Sequence, residues 1–78
     1  MKRQDILDTV VSVFSTITGV REIRETDELV DDLSISSMDM LSLMSGLEDE
    51  FHIEITERMI RRVATVADLV DLLDAELQ

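Results

Sequence analysis

The chain has 78 residues, which is enough for one small domain with a single core and too few for a deep catalytic cleft. Its net charge of -11 argues against nucleic acid as a partner, because phosphates would be repelled, and favours proteins with basic docking patches. It has no cysteine, which excludes disulfides and thiolate metal sites, and its 45% of hydrophobic residues predict a folded domain.

The first predicted element is a helix over about residues 2–18, ended by Gly19. Its apolar stripe recurs at steps of three and four: Ile6, Val10, Phe14 and Ile17. These first residues lack the apolar stretch of a secretory signal, and no run approaches a membrane span, so we expect a cytoplasmic protein. A long loop over residues 20–35 follows, with four apolar residues predicted to anchor it: Val20, Ile23, Leu29 and Leu33.

Residues 31–51 are the most informative stretch of the sequence, because an acidic loop there leads through two serines into an amphipathic helix. Ser36 is a suitable N-cap, because its hydroxyl can accept a hydrogen bond from an unpaired backbone N–H of the first helical turn. Asp39 completes a capping-box-like pattern, and its charge suits the positive end of the helix dipole. A core stripe follows: Met40, Leu43, Met44, Leu47 and Phe51. This layout leaves the Ser37 hydroxyl in solvent, where it suits an attached group better than a catalytic role.

Two further helices are predicted after this central one. Residues 51–55 alternate like a strand, but no second strand is evident, so we expect an extended linker. Thr56 is the predicted cap of a short helix ending near residue 62, and Thr65 with Asp68 opens the last helix in a second capping-box pattern. Its stripe is Val66, Leu69, Val70, Leu73 and Leu77. The expected fold is all-α, a small four-helix bundle of three main helices and one short helix with a long first loop, as a single domain over residues 1–78.

A serine, a histidine and many aspartates invite comparison with hydrolases. Ser37 and His52 lie at opposite ends of the central helix, roughly 22 Å apart at about 1.5 Å per residue. A general base must lie within about 3 Å of its proton, and His52 is the only histidine, so we predict a surface histidine, no catalytic residue and no enzyme. Residues 27–39 lack the glycine and the terminal glutamate of an EF-hand loop, so no dedicated metal site is predicted.

The central stretch resembles the acyl carrier proteins, in which an Asp-Ser-Leu triplet opens the second of four helices after an acidic Asp-Leu turn. Asp32 and Leu33 match the turn, Ser37 matches the serine, and Met38 matches the leucine. Residues 48–51, Glu-Asp-Glu-Phe, match the Glu-Glu-Glu-Phe that closes the family's helix. The resemblance implies that 4'-phosphopantetheine, taken from coenzyme A, is attached covalently to Ser37 by a phosphopantetheinyl transferase.

The resemblance also implies a carrier that holds acyl intermediates as thioesters on this arm. It would act as a monomer and deliver them to acyl-loading and acyl-processing enzymes of a specialised fatty-acid, lipid or polyketide-type pathway. The residues that would meet these partners are Ser36, Met38, Asp39, Leu41, Ser45, Glu48 and Asp49. The acyl chain would lie in solvent or against four apolar residues: Leu47, Ile55, Ile60 and Val63.

The sequence departs from the family pattern at several surface positions. Ser36 stands where the hallmark has an aspartate, which removes a carboxylate that the transferase usually reads. Ser42 and Ser45 replace acidic and apolar residues, and arginines replace acids at three positions: Arg58, Arg61 and Arg62. These differences indicate a specialised carrier. The alternative function is an unmodified, carrier-like interaction module that docks through its acidic face.

Acidic residues are concentrated in one block. Residues 25–54 contain ten acids and no lysine or arginine. Folding brings these like charges closer together, so we expect self-repulsion that salt and divalent cations relieve.

Overall fold

The structure is a computed structural model, and it describes residues 2–78. These residues contain four helices in chain order: α1 (Arg3–Thr18), α2 (Ser37–Phe51), α3 (Glu57–Ile60) and α4 (Val66–Glu76). This order confirms the predicted all-α bundle of three main helices and one short helix. The predicted end of α3 near residue 62 is two residues too late, because residues 61–62 form a turn. Within residues 2–78, no helix is long and apolar enough to cross a membrane.

The core lies where α1 packs against both α2 and α4. Its residues come from the predicted stripes and from the connecting segments: Ile6, Val10, Phe14, Leu29, Ile35, Leu43, Met44, Leu47, Phe51, Ile55, Ile60, Val66, Leu69, Val70 and Leu73. Gly46 allows α1 to approach α2 closely, since a Cβ at this position would lie 2.8 Å from Cγ1 of Val13. Three stripe residues, Ile17, Met40 and Leu77, are only half-buried and pack against the edge of the core.

The hydrogen bonds at the starts of α2 and α4 are those that the sequence predicted. Ser36 and Thr65 each cap a helix, and each forms a capping box with an aspartate three residues later. The carboxylate of Asp68 accepts hydrogen bonds from the backbone N–H groups of Thr65 and Ala64, both at 3.1 Å. These bonds hold the pKa of Asp68 below its ordinary value. Gly19 ends α1 with φ of 78°, the left-handed conformation that glycine adopts without strain.

The first loop is tied to the start of α4. The Leu29 N–H donates to the Ala64 carbonyl at 2.9 Å, and the Val66 N–H donates to the Asp27 carbonyl at 3.0 Å. Glu28 and Thr65 form an isolated antiparallel β-bridge between these bonds. The Leu29 side chain is buried, whereas the other three predicted anchors, Val20, Ile23 and Leu33, are half-buried. The loop is therefore a packed part of the domain.

Charged side chains have opposite effects at two places on this loop. Arg3 of α1 connects the first loop to α4, because its guanidinium donates to Glu25 at 2.8 Å and also to Asp71 of α4. Glu28 instead lies beside acids. Asp31 raises the pKa of the Glu28 carboxyl, because the protonated carboxyl can share its proton with the Asp31 side chain and because the two like charges repel when both are ionised, and burial and Asp32 add to the rise. The repulsion expected from the acidic block is therefore present at Glu28.

Candidate functional site

Two adjacent serines at the start of α2 differ in what their hydroxyls do. The Ser36 hydroxyl accepts a hydrogen bond from the Asp39 N–H at 3.1 Å, and the Ser36 N–H donates to the Asp39 carboxylate at 3.4 Å. Ser37 is the first residue of the helix and is exposed, and its hydroxyl has no hydrogen-bond partner within residues 2–78. Ser36 is thus used by the fold, while Ser37 presents a free nucleophilic oxygen to solvent.

A cleft of about 460 Å³ opens beside Ser37, between the first loop, α2 and α3. Its wall combines an apolar set with two charged side chains: Val30, Ile35, Met40 and Leu41, with Glu57 and Arg61. The positive end of the α2 dipole lies at Ser37, where it favours an anion. A group attached to the Ser37 oxygen would therefore have both a favourable potential for negative charge and an apolar surface beside it.

Three large apolar side chains are exposed around this serine. Met38 is 79% exposed, Val30 is 64% exposed and Leu41 is 57% exposed. Val30 and Leu41 line the cleft, and Met38 follows Ser37 on the helix. Val30 was not among the predicted partner-facing residues. It lies in the turn over residues 29–33, directly after the buried Leu29.

The predicted partner-facing residues divide into two groups. Five of them are exposed: Ser36, Met38, Leu41, Ser45 and Asp49. The other two, Asp39 and Glu48, are half-buried and make hydrogen bonds within the domain. Asp39 closes the capping box, and the Glu48 carboxylate accepts a hydrogen bond from the Ile55 N–H at 3.3 Å. These two carboxylates therefore stabilise the ends of α2, whatever partners they meet.

The predicted acyl-pocket residues do not lie around the Ser37 cleft. Leu47, Ile55 and Ile60 are buried in the core. Val63 is half-buried and lines a different cleft, between α3 and α4. An acyl chain would reach the first three only if the core opened, so their role stays a prediction. The cleft that does lie beside Ser37 is lined instead by Ile35 and Met40.

His52 lies at the end of α2 opposite Ser37. It is the C-cap residue of that helix, with φ of 55° and an exposed side chain. The sequence predicted this surface position after the helix end. About 22 Å of helix separates the two residues at 1.5 Å per residue, so His52 does not act as a base for the Ser37 hydroxyl. In the part of the chain that the structure describes, no three potential ligands among His, Asp and Glu are arranged to hold a metal ion.

The sequence comparisons agree with this geometry. Residues 8–73 match the family model described as "Phosphopantetheine attachment site". The acyl carrier protein of Thermotoga maritima is 32% identical over 77 residues, which cover 96% of this chain and 95% of the relative. The chain belongs to the acyl carrier protein family. The cofactor of such a carrier is 4'-phosphopantetheine, held by a covalent bond.

Other similar proteins match most of the chain. The acyl carrier protein of Wolinella succinogenes is 35% identical over 66 residues, which cover 85% of this chain and 84% of the relative. A solved structure from Mycobacterium tuberculosis, of a protein assigned to the acyl carrier proteins, superposes with a TM-score of 0.84. It is 30% identical, and the match covers 90% of this chain and 96% of that one.

The residues at the start of α2 fit the cofactor of the family. Attachment of 4'-phosphopantetheine needs a hydroxyl that a second enzyme can reach, and the Ser37 hydroxyl is exposed and free of hydrogen bonds within the described chain. The phosphodiester that results is an anion, which the N-terminus of α2 favours. The adjacent cleft has room and apolar surface for the segment of the arm nearest the serine.

Proposed function

We propose that Ser37 carries the 4'-phosphopantetheine arm and that the protein presents acyl groups to partner enzymes. The observation that carries this proposal is the contrast between the two serines: the Ser36 hydroxyl is used in the helix cap, and the Ser37 hydroxyl is exposed and unbonded. The thiol of the arm, when bound, supplies the chemistry, since it holds acyl groups as thioesters. The chain itself positions the arm and docks to enzymes.

Attachment takes place in the site of a phosphopantetheinyl transferase. The Ser37 oxygen attacks the phosphorus of coenzyme A that bears the pantetheine, an Oγ–P bond forms, and the pyrophosphate P–O bond breaks with release of the adenosine bisphosphate. The transferase must take the hydroxyl proton, because the only histidine of the carrier lies at the far end of α2. The capping box of Ser36 and Asp39 keeps the first turn of α2 formed while this happens.

We further propose that partner enzymes dock on the exposed surface around Ser37. Apolar contacts come from Val30, Met38 and Leu41. Exposed acids would attract basic patches on the partners and raise the rate of encounter: Asp31 and Asp32 follow Val30 in the first loop, and Asp49 lies nearer the other end of α2. The serine at position 36, where the family has an aspartate, supports a dedicated pathway with its own transferase over a housekeeping role.

Mass spectrometry of the intact protein tests the attachment. Incubation with coenzyme A and a transferase of broad specificity is expected to add one phosphopantetheinyl group to the wild type. Ser37→Ala is expected to accept none, because it removes the only oxygen that can form the ester at this position. The matched controls are Ser34→Ala and Ser36→Ala, which should both accept one group.

Two results would contradict the proposal. An arm mapped to Ser36 would show that the cap residue is modified instead. No addition with any transferase would favour the unmodified interaction module, which the absence of the family's aspartate at position 36 would then explain.

A further inference from the structure

Among the residues that the structure describes, Arg61 is the only basic one that lines the cleft beside Ser37. Its guanidinium lies 3.8 Å from the Glu57 carboxylate, one helical turn earlier, and the two side chains are 78% and 72% exposed. This distance is too long for a hydrogen bond, and within residues 2–78 the guanidinium donates none. An ion pair this exposed contributes little to stability, so its N–H groups are available to a ligand in the cleft.

Other arginines of the chain are placed differently. Arg3 is held by hydrogen bonds to acids of the first loop and of α4. Arg58 and Arg62 line the cleft between α3 and α4, where three acids, Asp68, Asp71 and Glu76, also contribute to the wall. Of the described residues that line the Ser37 cleft, Glu57 is the only acid, so Arg61 meets less competition for an incoming anion than Arg58 and Arg62 do.

The anion that would enter this cleft is the phosphodiester on Ser37, and this step rests on the proposed function. The α2 dipole favours an anion at Ser37, but the surrounding stretch of chain is strongly acidic and opposes a further negative charge, so a cation beside the phosphodiester would stabilise it. A guanidinium matches two phosphate oxygens at once and forms short, charge-assisted hydrogen bonds with them. The hydrocarbon segment that follows the phosphate would meet the apolar wall formed by Val30, Met40 and Leu41.

We propose that Arg61 binds the phosphodiester of the arm on Ser37 and thereby holds the proximal end of the arm in the cleft between the first loop, α2 and α3. The arm then leaves the domain in a preferred direction, and the carrier does not present it as a freely rotating chain. Arg61 is a positioning residue, because it touches the phosphate and not the reacting thiol.

Phosphorus NMR of the modified protein reports this contact, since each molecule then holds one phosphorus atom. The ³¹P resonance of the wild type is expected to shift between about 20 mM and about 500 mM NaCl, because salt screens the ion pair. In Arg61→Gln the resonance should already lie at the high-salt position of the wild type and should not move. Arg58→Gln is the matched control, because it removes a charge of the same short helix from the other cleft, and it should behave as the wild type.

Glu57→Gln provides an independent variant, because it removes the acid that competes for Arg61. The midpoint of the salt-dependent shift is expected at a higher NaCl concentration than in the wild type. The inference is wrong if Arg61→Gln keeps the salt-dependent shift of the wild type, or if Glu57→Gln loses it. The mass of each sample separates this failure from that of the proposed function: an unmodified wild type overturns both, whereas modified proteins with indistinguishable ³¹P behaviour overturn the role of Arg61 alone.

Discussion

Replacing Ser36 with alanine removes one hydrogen bond of the capping box at the start of α2. The Asp39 N–H then loses its acceptor at 3.1 Å and must bond to water. The replacement of a serine N-cap by alanine costs about 1 kcal/mol. In a domain of this size a loss of that magnitude lowers the melting temperature by about 4–8 °C. We expect Ser36→Ala to fall in this range.

Ser36→Asp tests whether the cap requires serine itself or only a side chain that accepts the same hydrogen bond. Aspartate caps as well as serine, and its charge gains from the helix dipole, although the Asp39 carboxylate lies close to it. We therefore expect a melting temperature near that of the wild type. Ser45→Ala is the control on the same helix, because it deletes an exposed hydroxyl without touching a cap. It should leave stability unchanged or raise it by a few tenths of a kcal/mol, since alanine is the better helix former.

Thermal unfolding followed by circular dichroism measures the stability of all three variants. The rate of arm addition, with a transferase that prefers carriers of fatty-acid synthesis, is the second measurement, and Ser36→Asp should increase it. A Ser36→Ala protein that melts like the wild type would show that the cap contributes nothing. If Ser36→Asp is modified no faster than the wild type, the missing aspartate is not what distinguishes this carrier from its relatives.

Two further predictions concern pH. The pKa of Glu28 is raised by Asp31 above its ordinary 4.5, so the stability it contributes is fully present below pH 4.5 and is lost as pH rises through the raised value. Glu28→Gln should therefore raise the melting temperature at pH 7 and leave it unchanged at pH 3. At pH 7 the melting temperature of this variant should also increase less with added NaCl or magnesium than that of the wild type. An equal effect of the substitution at both pH values would contradict this prediction. The pKa of Asp68 is lowered from 3.8 by the N–H groups of Thr65 and Ala64, so its contribution is present above pH 3.8 and is lost as pH falls through the lowered value. Asp68→Asn should lower the melting temperature at pH 7. It should have little effect at a pH low enough to protonate the Asp68 carboxyl of the wild type in both the folded and the unfolded protein. A lower melting temperature that persists in strong acid would show that the amide disturbs the cap sterically.

The helices and their caps were predictable because the signals are local. The hydroxyl of Ser36 and the carboxylate of Asp39 are three residues apart, and the same spacing marks the start of α4. The end of α3 was predicted too late, since a helix of four residues has few internal hydrogen bonds and no periodic stripe to mark its end. The candidate attachment residue, Ser37, followed from the same local pattern.

Contacts between distant parts of the chain were not predictable. Arg3 bonds to Glu25 and to Asp71, which are 22 and 68 residues away, and charge alone does not choose between acids at such separations. The cleft beside Ser37 was missed for the same reason. Its wall combines residues of the first loop, α2 and α3, and a stripe read along one helix does not show which neighbours from other segments complete it.

The loop before Ser37 explains how an exposed serine keeps a fixed position. The Leu29 N–H donates to the Ala64 carbonyl at 2.9 Å, and the Ile35 N–H donates to the Leu29 carbonyl at 3.1 Å, so two hydrogen bonds connect the residue before the cap to the start of α4. Both Leu29 and Ile35 are buried. The first turn of α2 is thus fixed on its inner side by the core and by the α3–α4 connection, while its outer side is exposed and accessible to partner enzymes. Arg61 lies in the turn that leads into the same connection, so the hydrogen bond between Leu29 and Ala64 joins the loop before Ser37 to the segment that follows Arg61.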